Sequence, residues 1–96
     1  MTQYIVSQEA SEDLEEIVDY FLTRNIEAGE RFVTQFNKKC QNLATFPNLG
    51  RIYAYFSPSL RGIPLDGYII FYRALEDRIV IVRVVSGYRD LRALFS

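Results

Sequence analysis

Arginine and tyrosine are the side chains of this 96-residue chain with the means to act on a phosphate, and they gather in its second half. Residues 49–96 carry seven cations, all arginine (Arg51, Arg61, Arg73, Arg78, Arg83, Arg89 and Arg92), against four acids. Residues 1–48 carry four cations against eight acids, so a formal net charge of −1 hides a division between the halves. The guanidinium is a rigid five-donor fork that matches phosphate or carboxylate. An arginine-rich half implies either a polar partner or salt bridges to the acidic half. Cleaving RNA without histidine requires other groups to deprotonate the 2′-hydroxyl, stabilise the phosphorane and protonate the leaving oxygen. Arg83, Arg89, Tyr68, Tyr72 and Tyr88 are the raw material for those roles. The competing reading makes the tyrosines core or interface aromatics and gives Arg83 an acid as counter-ion.

Other chemistries fall away on composition. Histidine is absent and Cys40 is the single cysteine, which excludes a zinc site with nitrogen and sulfur ligands and both the Ser-His-Asp and Cys-His mechanisms. Neither GxxxxGK[ST] nor GxGxxG occurs, so no phosphate loop and no bound cofactor are expected. Outside the helical region the acids are Asp66, Glu76, Asp77 and Asp90, each explained by a turn or a helix start rather than by carboxylate catalysis. The six acids on the first helix could bind a metal only through carboxylates, and a solvated face accounts for them; no metal is expected. One cysteine cannot form an internal disulfide, and the start, Met1-Thr2-Gln3-Tyr4, has neither a basic nor an apolar export region. A cytoplasmic location is the expectation.

Ninety-six residues make one domain, spanning 1–96. Tyr4-Ile5-Val6 is a short β-prone run ending at Ser7, a good N-cap. From Ala10, the positions Leu14, Ile17, Val18, Phe21 and Leu22 form one helical face. Glu9, Glu12, Asp13, Glu15, Glu16 and Asp19 take the other. Asn25 can cap a second helix whose stripe runs through Ala28, Phe32, Val33, Phe36, Cys40, Leu43 and Ala44, and which ends at Phe46-Pro47-Asn48-Leu49-Gly50. The short link predicts an antiparallel helical hairpin.

After Gly50 the chain reads as sheet. Arg51–Tyr55 predicts a strand, and Pro58 and Pro64 predict an irregular stretch up to Asp66. Asp66-Gly67 is a turn signal before the strand Tyr68–Arg73; Glu76-Asp77 is a second turn, before the strand Ile79–Val85. Residues 88–95 read as a short terminal helix. The fold class is therefore α+β: an N-terminal strand, then an antiparallel two-helix hairpin packed on one face of a twisted antiparallel sheet of about four strands, then a short C-terminal helix. A two-residue loop at Glu76-Asp77 would pair Arg73 with Val80, Phe71 with Val82 and Ile69 with Val84. That puts Ile69 and Phe71 under the helices and leaves Tyr68, Ile70, Tyr72, Ile79, Ile81 and Arg83 on an open face.

The chain resembles the RelE/ParE superfamily of bacterial toxins. The residues that carry the resemblance are Glu9-Ala10, Asp13-Leu14, Ile17 and Tyr20, then Leu43-Ala44, Pro47 and Gly50-Arg51, the segment Tyr68–Arg73, and Ile81-Val82-Arg83-Val84-Val85-Ser86-Gly87-Tyr88-Arg89-Asp90-Leu91. The resemblance implies two helices packed on a twisted antiparallel sheet, and it admits two activities. RelE-like members are ribosome-dependent messenger ribonucleases that use basic residues on the central strands and a tyrosine near the C-terminus. ParE-like members lack that set and trap the cleaved-DNA complex of DNA gyrase. Aligned on Gly67-Tyr68 and Gly87, the RelE-type basic positions fall on Leu60, Gly62 and Ile69, the arginine position on Arg89, and the tyrosine position on Phe95.

Leu60, Gly62, Ile69 and Phe95 can neither move a proton nor stabilise an anion, so the chain resembles ParE more closely. Arg61, beside Leu60, could restore one charge, which keeps a ribosome-dependent mRNA interferase using Arg89, Arg83 and Arg61 as the alternative. The ParE resemblance implies a type II toxin acting by binding gyrase, with Arg61, Tyr68, Tyr72, Arg83, Tyr88, Arg89 and Arg92 as candidates for the target- or antitoxin-binding surface. It also implies a cognate ParD-like antitoxin that wraps the toxin, supplies apolar anchors and acids to an arginine-bearing groove, and can form a toxin–antitoxin hetero-oligomer. No membrane partner is expected.

Overall fold

The computed structural model describes residues 3–54, 56–88 and 90–95. The elements are β1 (Gln3–Val6), α1 (Gln8–Leu22), α2 (Ile26–Thr45), β2 (Arg51–Ile52), β3 (Leu60–Leu65), β4 (Tyr68–Ala74), β5 (Arg78–Ser86) and α3 (Leu91–Phe95). Both long helices begin as the sequence predicts. The Ser7 hydroxyl accepts from the Ala10 N–H, and the Asn25 side chain accepts from the Ala28 N–H, each at 3.1 Å. Among the described residues, no helix is long and apolar enough to cross a membrane.

The sheet has five strands in the order β1-β5-β4-β3-β2, and it is mixed rather than antiparallel, because β1 lies parallel to β5. The added strand is β3, in the stretch expected to be irregular. Pro64 is tolerated there because β2 reaches only Arg61 and Gly62, so the outer side of β3 at Pro64 owes no ladder hydrogen bond. The expected strand Arg51–Tyr55 shortens to β2, and Tyr55 lies outside the described residues. Asp66 and Gly67 turn β3 into β4 with φ of 49° and 82°, the left-handed pair that a two-residue hairpin needs.

The expected hairpin register holds at the turn and fails beyond it. Arg73 faces Val80, but a bulge leaves Val82 unpaired between the pairs Tyr72–Ile81 and Phe71–Arg83. Phe71 therefore meets Arg83 instead of Val82, and Ile69 meets Val85 instead of Val84. The assignment of faces is also reversed. The helices cover Ile70, Tyr72, Ile79, Ile81 and Val84, which join Ala10, Ile17, Phe32, Phe36, Cys40 and Leu43 in the main core. The other face holds Leu60, Phe71 and Val85, covered by Tyr53, Phe56, Leu91 and Leu94. An unbroken alternation cannot reveal which of two apolar faces receives the helices, and here the β2–β3 connection and α3 cover the second one.

Candidate functional site

β1 ends at Val6, opposite Ile81, so the outer edge of β5 beyond that point has no strand beside it. The first turns of α1 take over. The Ser7 hydroxyl donates to the Val82 carbonyl at 3.1 Å, and the Asp13 carboxylate accepts from the Val84 N–H at 2.9 Å. The same carboxylate grips Arg83 with both oxygens: Nε donates at 2.7 Å and Nη2 at 3.0 Å. This bidentate pair raises the Arg83 pKa, against the opposing effect of burial. Asp13 has 8% of its surface exposed, so one buried carboxylate satisfies a guanidinium and a strand-edge amide.

Sequence reasoning placed Asp13 among the solvated acids. The available signal was its position three residues after Ala10 and four before Ile17, on the buried stripe. An arginine in an apolar central strand also calls for a counter-ion. Arg83 therefore behaves as the competing reading had it, leaning off the bulge to an acid rather than standing on an open face.

Tyr72 is fully buried. Its hydroxyl donates to the Pro47 carbonyl at 2.7 Å and accepts from the Gly50 N–H at 2.8 Å, pinning the connection between α2 and β2. Burial raises its pKa, while the Gly50 hydrogen bond and nearby Arg61 pull the other way. Arg61 secures the same connection, donating through Nη1 to Gly50 O at 2.8 Å and Asn48 O at 3.2 Å. Arg73 donates to the Ser59 hydroxyl at 2.8 Å. Tyr72 thus drops out of the expected contact surface, and Arg61 and Arg83 are held by internal partners.

Tyr68 is half-buried and packs edge-on against Phe32, with ring centroids 5.4 Å apart. Burial, and then Tyr20 beside it, raise its pKa. It lines an open cleft of about 240 Å³ with Asp13, Glu16, Ile17, Tyr20 and the end of β5. The expected arginine-bearing groove is therefore acidic and phenolic at this point. Tyr88 is 95% exposed just past β5, and Arg92 is exposed on α3, whose first turn Asp90 caps by accepting from Arg92 N at 3.1 Å and Ala93 N at 3.4 Å. Arg89 lies outside the described residues. The structure thus leaves Tyr88 and Arg92 each exposed towards the C-terminal end, while Tyr68 belongs to the cleft.

Three of the RelE-type positions, Leu60, Gly62 and Ile69, lie on the face away from the helices. Leu60 is fully buried and Ile69 packs beside it. A Cβ on Gly62 would stand 2.8 Å from the Tyr53 ring, 3.0 Å from Ile69 and 3.2 Å from Phe71, so that site has no room for a side chain. Among the described residues, no three Cys, Asp or Glu side chains converge as metal ligands would.

No curated protein is significantly similar in sequence to this chain. Among solved structures, a chain of the chromosomal ParDE TA system from P. aeruginosa superposes with a TM-score of 0.73 at 20% identity, covering 90% of this chain and 95% of that one. That likeness supports the fold. The family model described as the ParE toxin of the type II toxin–antitoxin system parDE matches residues 4–91. With nearly the whole length matched and the fold in agreement, the chain belongs to the ParE toxin family.

Proposed function

We infer that this toxin acts by binding DNA gyrase and trapping its cleaved-DNA complex, and that a cognate ParD-like antitoxin neutralises it. The observation that carries the reading is the far face of the sheet. Where a ribonuclease of this fold would present basic side chains, Leu60 is buried, Ile69 is packed and Gly62 is closed in by Tyr53, Ile69 and Phe71. Arg61 does not replace the missing charge on that face, because it pairs with Tyr72 on the helix side and reaches the Asn48 and Gly50 carbonyls. Such a surface can hold a macromolecule but offers little for proton transfer. Tyr88 and Arg92 are the accessible groups best suited to target contact.

The test is a supercoiling assay with purified toxin, gyrase and relaxed plasmid. Loss of supercoiling with accumulation of linear DNA is the expected result, reversed by co-purified antitoxin. Codon-phased cuts in mRNA on translating ribosomes, with gyrase turnover unchanged, would replace this reading with the interferase. Harmless expression of the wild type would remove both.

A further inference from the structure

We propose that the cleft between α1 and the end of β5 receives an extended, basic segment of a partner protein, which continues the sheet along β5 and lays a Lys or Arg side chain between Tyr20 and Glu16. The backbone supplies the first part of the argument. The Val84 N–H points away from β4 to reach Asp13. Strand alternation then turns the Val84 carbonyl and both backbone groups of Ser86 to that same outer side, where β1 does not reach. An edge of this kind accepts an extended chain through main-chain hydrogen bonds.

Side chains supply the second part. The cleft beside that edge is lined by Glu16, Tyr20 and Tyr68, with Asp13 at its inner end. Its neighbouring cation, Arg83, is already committed to Asp13. Glu16 and Tyr20 are both exposed, one helical turn apart on α1. A carboxylate beside a phenol ring binds an ammonium or guanidinium by charge and by the ring's quadrupole together. Tyr20 already takes such a group: the Arg24 guanidinium lies 3.9 Å from its ring centroid, and Arg24 does not line the cleft. Charge therefore selects a basic guest, and the open edge selects an extended one. The inference stands whichever macromolecule the toxin inhibits.

The probe is a fluorescein-labelled hexapeptide of alternating valine and arginine, titrated into the full chain by fluorescence anisotropy. Its counterparts are the valine–glutamate peptide and an arginine peptide N-methylated at alternate residues. The arginine peptide should bind at least about tenfold more tightly than either. Tyr20→Ala and Glu16→Gln should each weaken it several-fold, with thermal unfolding unchanged because both side chains are exposed. Binding should also slow hydrogen exchange at the Ser86 amide. Equal binding of the N-methylated peptide would overturn the strand-edge mode. Glu12→Gln weakening the probe as much as Glu16→Gln would show diffuse attraction to an acidic helix and overturn the site. Equal binding of the glutamate peptide would overturn the charge selection. Should Tyr20→Ala lower stability, Tyr20→Leu and the exchange measurement decide in its place.

Discussion

The two faces of the sheet are finished in different ways. On the helix side, a large apolar core is fastened at both ends by hydrogen-bonded polar groups: Asp13 with Arg83 and Val84 at one end, Tyr72 and Arg61 with the α2–β2 connection at the other. On the far side, Leu60, Phe71 and Val85 lie under a thin cover of Tyr53, Phe56, Leu91 and Leu94. Tyr53 is T-shaped to Phe71, with ring centroids 5.1 Å apart, and stacked on Phe56 at 6.1 Å. Arginine thus has two uses in one small domain. Within the sheet Arg61, Arg73 and Arg83 satisfy internal acceptors; Arg51 and Arg78 at strand starts, and Arg92 on α3, stay exposed. Charge counting along the chain cannot separate these uses, because the separation depends on which carbonyl or carboxylate is within reach.

Asp13→Ala tests the difference most severely. It strands Arg83 and the Val84 N–H together, and should cost about 3 kcal/mol in urea unfolding. The Asp13→Ala/Arg83→Ala double variant should cost much less than the sum of its singles, since both belong to one tie. Tyr72→Phe keeps the ring but leaves the Pro47 carbonyl and the Gly50 N–H short of a partner, for about 2 kcal/mol. Equal stability of either variant and the wild type would erase the contrast between fastened and thinly covered faces.

High pH probes the helix-side core through Cys40. Burial pushes its thiol from 9.0 up to about 12. The unfolded chain releases this proton above about pH 9 while the folded chain keeps it. Stability is therefore complete below pH 9 and declines as pH rises towards 12, by up to about 1.4 kcal/mol per unit. The decline should be shallower in Cys40→Ala, with urea midpoints measured between pH 8 and 11. On the far side, Leu94→Ala removes a partly buried cover residue and should cost about 1 kcal/mol. Smallest of all in stability, Tyr88→Ala and Arg92→Ala should stay within about 0.5 kcal/mol of wild type. The same two variants should relieve growth arrest on induction; full toxicity in both would move the target surface elsewhere.

Much of the fold was legible in local pattern. Both helices, their Ser7 and Asn25 caps, both hairpin turns and the closing helix follow from residue spacing and turn chemistry. β3 was hidden by Pro64, whose cost disappears only because β2 is two residues long. The site was less legible. The expected pair Phe71–Val82 assumed unbroken alternation, and one bulged residue redirected Arg83. Of the seven candidates for the contact surface, Tyr72 proved a buried clamp, Arg61 and Arg83 internal ties, and Tyr68 part of an acidic cleft. Tyr88 and Arg92 remain exposed, and Arg89 lies outside the described residues.

By itself the sequence determined both long helices, the two hairpin turns, the strands other than β3 and the family, because periodicity, capping and turn preference act within a few residues along the chain. Only the tertiary structure decided which sheet face the helices cover, where β5 gains a residue, and which arginines are already bound. Those outcomes depend on groups 70 residues apart, as Asp13 and Arg83 are, competing for the same hydrogen bonds. No local preference encodes that competition.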